Sequence, residues 1–245
     1  TQSASQYLKE QWWLYQRDEG ESFDHFLPLL LKKYLSSVLF LKTFLKKDTS
    51  FKELSKRAKS LESLILEEVF LRTQDEQKKF LSFSLLSMKE RFLKEERDQV
   101  GSCQSECHRG LELYRTFDGL DVIFELNYQL DRDMEITQVK ERLYEKAGVG
   151  VQSGYSTILL ALAYLAATYG LAGKSIVDLG SGYGRVGLVS ALYCEEMDFI
   201  GYEYVGHRVD VSNRAVRNLK LQGSLNFITQ DLSLTGFKIP KADVF

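Results

Sequence analysis

Apolar residues recur at helical spacing through the first 97 residues of the chain. One apolar stripe is formed by Phe23, Leu27, Leu30, Leu31, Tyr34, Val38, Leu41 and Leu45, and another by Leu81, Leu85, Met88 and Phe92. Between them, Ser50 and Glu53 have the spacing of a capping box before a third stripe that runs from Leu54 to Val69. This pattern predicts a helical bundle, in which Pro28 either begins or kinks the first helix.

Two changes of pattern divide the chain. The stretch from Gln99 to Gly119 breaks the helical periodicity and predicts a connector or an ordered loop. Beyond residue 153, Ile158 to Tyr169 is apolar on all faces, which predicts a helix buried against a sheet. We therefore predict a helical N-terminal domain over residues 1–120, a connecting segment over 121–153 and a second domain over 154–245.

Strand-like and helix-like segments alternate in the second domain. Strands are predicted at Lys174–Leu179, Asp198–Glu203 and Leu225–Thr229, a fourth strand starts in Ala242–Phe245, and helices are predicted at Arg185–Cys194 and Gly206–Gln222. This order predicts an α/β fold, a doubly wound parallel sheet covered on both faces. In the last helix, Val205, Val209, Val216 and Leu219 form the predicted buried stripe, and Arg208, Arg214, Arg217 and Lys220 the predicted solvated face.

A glycine-rich turn joins the first predicted strand to its helix, in the run Asp178-Leu179-Gly180-Ser181-Gly182-Tyr183-Gly184. Glycine reaches positive φ and lets the backbone approach a ligand, and the N-terminus of the next helix offers N–H groups and a partial positive charge. Such a loop suits a carboxylate or a phosphate. Because Gly182, Gly184 and Gly187 also satisfy G-x-G-x-x-G, the loop alone does not identify the nucleotide.

Carboxylates accompany all three strands. Asp178 precedes the first glycine, Glu203 ends the second strand and Asp231 follows the third. In parallel sheets the carboxyl ends of the strands meet at one edge, where ligands bind. A dinucleotide site would explain Glu203, which lies about 20 residues beyond the loop, but it leaves Asp178 and Asp231 unexplained.

This combination resembles the class I S-adenosylmethionine-dependent methyltransferases, whose first motif is acidic-x-Gly-x-Gly-x-Gly and whose next two strands end in acidic residues. The resemblance implies that residues 154–245 form part of a seven-strand, Rossmann-like methyltransferase domain with S-adenosylmethionine as cofactor. It also implies that Glu203 binds the ribose hydroxyls and Asp231 the adenine amino group. Tyr204 and Leu232 would flank the ring, and Asp178 would face the amino-acid moiety.

Within that family, the loop resembles that of the non-SET histone-lysine methyltransferases. Their upstream Tyr-Gly-Glu-type element corresponds here to Gly154-Tyr155-Ser156-Thr157, which lacks the carboxylate. These hydroxyl residues are candidates for contacting the donor, while Ser156 or Thr157 equally suits an N-cap. The predicted cofactor-binding residues are thus Asp178, Gly180, Ser181, Gly182, Tyr183, Gly184, Glu203, Tyr204, Asp231, Leu232, Tyr155 and Thr157.

The resemblance implies methyl transfer to a nucleophile, with a protein lysine as the first expectation for the acceptor. Two alternatives are a non-catalytic S-adenosylmethionine-binding regulatory protein and an NAD-dependent oxidoreductase. The family has seven strands and this sequence reaches the fourth, so we expect a C-terminal portion or a companion chain to supply the catalytic residues.

The composition of the chain limits the kinds of partner that we expect. The 32 basic residues nearly balance the 34 acidic ones, so net charge favours neither nucleic acid nor an anionic membrane. The basic stretch Lys42–Lys59 is interpreted as a solvated helix face. No apolar run reaches the roughly 20 residues that span a bilayer. The three cysteines lack C-x-x-C spacing, which favours reduced thiols in the cytoplasm, and Cys103, Cys107 and His108 make a poor zinc set, so no metal is expected.

Overall fold

The computed structural model describes residues 27–28, 31–32, 34–35, 63–99, 118–128, 131, 153–221 and 223–245. The chain divides into two compact units, Thr1–Ile123 and Phe124–Phe245. Most of the first apolar stripe, the capping box at Ser50, the basic stretch Lys42–Lys59 and the trio Cys103, Cys107 and His108 lie outside the described residues.

The described part of the first unit is helical. Residues 27–28, 31–32, 34–35 and 63–70 have helical conformation, and α1 spans Gln74–Gln99. A capping box begins α1, because Thr73 Oγ1 accepts from the N–H of Glu76 at 3.4 Å and the Glu76 carboxylate accepts from the N–H of Thr73 at 3.0 Å. The predicted stripe of Leu81, Leu85 and Met88 is buried on this helix. A 3-10 turn at Asp118–Leu120 precedes the short helix α2, Asp121–Phe124.

The second unit contains a parallel sheet with helices, so the chain has the mixed α/β character predicted. Its elements are α3 (Tyr155–Tyr169), β1 (Ser175–Leu179), α4 (Arg185–Tyr193), β2 (Asp198–Glu203), α5 (Gly206–Asn218) and β3 (Leu225–Thr229). The strand order is β1-β2-β3, all parallel. The predicted fourth strand is seen as a single parallel bridge between Val244 and Ile176 of β1.

The helix α5 ends earlier than the sequence predicted. Lys220 takes a positive φ of 51°, and the N–H of Leu221 donates to the carbonyl of Val216 at 2.9 Å. This is the hydrogen-bond pattern of a left-handed C-terminal cap, which stops the helix after Asn218.

Close packing between α4 and the sheet depends on Gly187. A Cβ at this position would lie 2.6 Å from the ring of Phe199 and 2.8 Å from Leu225. The third glycine of the G-x-G-x-x-G pattern therefore has a packing role. On the opposite face, Leu179 and Ile228 are each 41% exposed, so the predicted cover on both faces is incomplete among the described residues.

Two predictions about α3 are wrong. The helix buries one face, with Ile158, Leu159 and Leu162, while Tyr164 and Tyr169 are about two-thirds exposed at 67% and 66%. An apolar run is therefore not a reliable measure of burial, because folded proteins leave much apolar surface in water. Neither Ser156 nor Thr157 is the N-cap, since α3 begins at Tyr155 and its cap is Gly154, which makes no side-chain cap hydrogen bond.

Within the described part of the chain, no helix combines the length and apolar character needed to cross a membrane.

Candidate functional site

The glycine loop follows β1 and requires glycine for two reasons. Gly180, Gly182 and Gly184 have φ values of 85°, 57° and 76°, in the left-handed region that favours glycine. Gly184 is also the N-cap of α4, and a Cβ there would lie 2.6 Å from the ring of Phe227 and 2.8 Å from Oγ of Ser212. The loop is therefore held tightly against the sheet and α5.

The loop uses its amide groups within the protein. The N–H groups of Gly180 and Ser181 donate to the carbonyl of Tyr202 at 2.8 and 2.9 Å, and that of Gly184 donates to the carbonyl of Ser181 at 2.9 Å. The N–H of Gly182 donates to Oε2 of Glu203 at 2.8 Å. These four amides are therefore satisfied within the protein, three of them by the last two residues of β2, Tyr202 and Glu203.

Glu203 is the central acidic residue of the site. It is 6% exposed, and its Oε1 accepts from the N–H of Val205 at 2.9 Å while Oε2 accepts from Gly182. Each carboxylate oxygen can accept more than one hydrogen bond, so these contacts fix the group without exhausting its capacity. Nη1 of Arg208 lies 3.6 Å from Oε1 and supplies a compensating charge.

Asp178 adds a second carboxylate at the end of β1. Burial first, and the negative charge of Glu203 second, raise the pKa of Asp178 from 3.8 to about 6. Burial and the charge of Glu203 both disfavour the ionised form of Asp178. A cationic group placed beside the two carboxylates would relieve that repulsion.

Asp231 follows β3, as predicted. Its Oδ1 accepts from the N–H and from Oγ of Ser233, at 2.8 and 2.6 Å, which shapes the turn after the strand. Tyr204 and Leu232 follow the adjacent strands β2 and β3 and are 45% and 38% exposed. They present apolar surface beyond the carboxyl ends of these strands.

The two predicted cofactor-binding residues upstream of the loop, Tyr155 and Thr157, differ in burial. Tyr155 is fully buried, with the guanidinium carbon of Arg185 4.6 Å from its ring centroid and the ring of Phe124 stacked at 6.1 Å. Thr157 is exposed. Both Ser181 and Tyr183 of the loop are buried. The ring of Tyr155 therefore packs against Phe124 and Arg185, the first residue of α4.

Sequence reasoning missed Arg185 as a structural centre. This side chain is 3% exposed, and it donates to the carbonyl of Ser153 at 2.9 Å and to the hydroxyl of Tyr128 at 3.2 Å. The ring of Tyr128 in turn meets that of Tyr183 edge-on at 4.5 Å. Arg185 thus links the loop, the start of α3 and the segment that carries Tyr128.

The prediction that Arg208 is solvated surface is wrong. Arg208 is 8% exposed and forms an ion pair with Asp131, with Nη2 3.0 Å from Oδ2. The sequence held one signal for this, since Val211 and Ala215 follow at helical spacing and are buried. Asp131 itself gave no local signal, because its partner is 77 residues away.

Comparison with models of known protein families and with curated proteins finds no match. Among the residues that the structure describes, no three His, Cys, Asp or Glu side chains form a group that could hold a metal ion.

Proposed function

We propose that the second unit binds S-adenosylmethionine and that the protein transfers its methyl group to a nucleophile, with a protein lysine as the acceptor class. One observation carries the proposal: the buried carboxylate of Glu203 accepts a hydrogen bond from the glycine loop, and burial together with this negative charge raises the pKa of the neighbouring Asp178. A site with this charge suits a sulfonium cation.

The same observation argues against a dinucleotide. A pyrophosphate is normally held by free N–H groups of the loop and of the helix N-terminus. Here four loop amides already donate within the protein, one of them to Glu203. A phosphate charge about 4 Å from that carboxylate would be repelled by about 4 kcal/mol at an effective dielectric constant of about 20.

The remaining acidic residues fit the other parts of the same ligand. The spare acceptor capacity of Glu203 suits the ribose hydroxyls, and Asp231, beyond the neighbouring strand, suits the adenine amino group. The exposed faces of Tyr204 and Leu232 suit the two sides of the ring. Asp178, largely ionised at pH 7 with a pKa of about 6, suits the ammonium of the amino-acid moiety.

Bound S-adenosylmethionine would supply an electrophilic methyl group, which accepts the lone pair of the nucleophile while the C–S bonding pair returns to sulfur. The residues of this chain contribute chiefly by orientation, which brings donor and acceptor into line. Glu203 and Asp178 strengthen binding of the cationic donor rather than the reaction itself, because the positive charge on sulfur is lost in the transition state.

Calorimetric titration with S-adenosylmethionine, S-adenosylhomocysteine and NAD tests the proposed cofactor. We expect the two sulfur nucleotides to bind and NAD not to bind, and Glu203→Ala to weaken both by at least about tenfold, or ~1.4 kcal/mol. Asp210→Ala, at an exposed position of α5, is the matched control. Binding of NAD alone, or no loss in Glu203→Ala, would reject the site.

Transfer itself needs a separate assay. Incubation of the complete protein, together with any companion chain, with methyl-labelled S-adenosylmethionine and lysine-rich proteins, such as purified histones, should yield labelled methyllysine. Cofactor binding without labelled product from any protein, nucleic acid or small-molecule acceptor would instead identify a binding protein that performs no chemistry.

A further inference from the structure

Arg208 lies between two carboxylates of the second unit. Its Nη1 is 3.6 Å from Oε1 of Glu203, and its Nη2 and Nε are 3.0 and 3.1 Å from Oδ2 of Asp131. The side chain is almost fully buried. A buried guanidinium is costly without matching negative charge, which these two carboxylates supply, and the ring centroid of Tyr183 lies 5.8 Å from its central carbon.

Asp131 is fixed by a second contact. Nε2 of His207 lies 2.7 Å from Oδ1 of Asp131, whereas Arg208 makes its shortest contacts with Oδ2. Asp131 is 8% exposed. His207 and Arg208, at the start of α5, therefore both bind the carboxylate of Asp131. These contacts determine where the Arg208 guanidinium can lie.

The two contacts of Arg208 are unequal. Nε and Nη2 both lie within hydrogen-bond distance of one oxygen of Asp131, Oδ2, whereas the 3.6 Å approach to Glu203 is longer than a hydrogen bond. Glu203 consequently keeps its hydrogen bonds to Gly182 and Val205. Without Asp131, the guanidinium would be drawn onto Glu203, where it would compete for the acceptor capacity that a ligand needs.

We propose that Asp131 and Arg208 are positioning residues for the cofactor site. Asp131 holds Arg208 at a distance from which it offsets the charge of Glu203 without occupying its ligand-binding oxygens. The inference rests on the proposed function, in which Glu203 binds the ribose. It extends the site into the segment before α3, which no motif near the glycine loop indicates.

The test is a double-mutant cycle with Asp131→Asn and Glu203→Gln, with Asp210→Asn as the control on the exposed side of α5. We expect Asp131→Asn to weaken S-adenosylhomocysteine binding about tenfold in the wild-type background and at most about twofold in the Glu203→Gln background. An equal loss in both backgrounds would mean that Asp131 acts through general stability, and would overturn the proposal.

A second readout does not depend on the cofactor. The amide of Gly182 donates to Glu203, so its hydrogen exchange reports on the position of that carboxylate. We expect Asp131→Asn to speed this exchange at least about fivefold while amides of β3 stay unchanged. Unchanged exchange at Gly182 would overturn the positioning role. If the wild type binds no sulfur nucleotide, the proposed function fails while this measurement still decides the positioning role.

Arg208→Lys provides an independent variant should Asp131→Asn fold poorly. Lysine keeps the buried charge but cannot form the two-pronged contact with Asp131. Faster exchange at Gly182 is expected here as well, and its absence would count against the proposal in the same way.

Discussion

The N–H of Gly182 donates to Oε2 of Glu203 at 2.8 Å, which ties the loop after β1 to the last residue of β2. The two residues are 21 positions apart, yet the parallel register brings the ends of their strands side by side. The contact sets the electrostatic character of the loop, because it places a negative charge where a phosphate-binding loop would offer a donor.

Replacing Gly184 should destabilise the fold more than replacing Gly180. Both residues have positive φ, so either alanine variant incurs a backbone cost of about 1–2 kcal/mol. Only at Gly184 would the new Cβ also collide with Phe227 and Ser212, whereas the space at Gly180 is open. We expect losses of about 2–4 kcal/mol for Gly184→Ala and about 1–2 kcal/mol for Gly180→Ala in urea denaturation. Equal losses would contradict the packing argument.

Affinity for S-adenosylmethionine should fall as the pH drops through about 6. The pKa of Asp178 is raised to about 6, so this carboxyl loses the charge that attracts a cation below that pH. S-adenosylhomocysteine carries the same ammonium group, which the proposal places beside Asp178, and should lose affinity by a similar factor. Titrations at about pH 5 and about pH 8 measure the difference. In Asp178→Asn, the affinities of both ligands should no longer fall between about pH 8 and about pH 5, and a fall that persists in this variant would contradict the assigned role.

The carboxyl of Asp178 should also make the stability of the fold depend on pH. Ligand affinity should rise with pH, whereas the contribution of Asp178 to stability should fall. Its native pKa of about 6 exceeds the value of 3.8 expected in the unfolded chain, so the native state binds the extra proton more tightly. The contribution of Asp178 to the free energy of unfolding is therefore full below about pH 4 and is lost as the pH rises through about 6. Asp178→Asn should be more stable than the wild type at about pH 8 in chemical denaturation. Lower stability of the variant at that pH would contradict the assigned cause.

Removal of the Arg185 side chain should destabilise the second unit by about 2–4 kcal/mol. The variant Arg185→Ala would leave the carbonyl of Ser153 and the ring of Tyr155 without a buried cationic partner. Arg217→Ala, at an exposed position of α5, should change stability by less than about 0.5 kcal/mol. Thermal and urea denaturation of the two variants make the comparison. A similar effect of both would show that the buried contacts of Arg185 contribute little.

Asp231 should determine preference for adenine over hypoxanthine. An adenine amino group can donate to its carboxylate, whereas hypoxanthine carries a carbonyl at that position. We expect the wild type to bind S-adenosylhomocysteine at least about tenfold more tightly than its inosine counterpart, and Asp231→Ala to lose that preference. Ser233→Ala controls for the turn, since it removes one hydrogen bond to Asp231 but keeps the carboxylate. A preference retained in Asp231→Ala would place the base elsewhere.

What could be predicted from the sequence was mostly local. The bounds of β1, β2 and β3 follow from short apolar runs bounded by glycine or polar residues, and the structure agrees within one residue. The left-handed glycines of the loop were likewise indicated by residue type alone.

Contacts between distant segments could not be predicted. The partner of Arg208 is 77 residues away, and nothing around Asp131 distinguishes it from a surface acid. The partners of the loop amides include the backbone carbonyl of Tyr202, which has no residue signature. The exposure of Tyr164 and Tyr169 depends on which face of α3 meets α4, which the apolar run does not specify.

The bridge between Val244 and Ile176 gives β1 a neighbour on each edge. On one edge of β1, the N–H of Val177 donates to the carbonyl of Val244 at 3.0 Å. The other edge of β1 pairs with β2 over five residues. A strand held on both sides opens only when the pairing on both edges breaks, so its amides should be among the slowest in the second unit to exchange with solvent. The glycine loop is thus anchored to a strand that is paired on both edges, and its shape should persist while surrounding segments open and close.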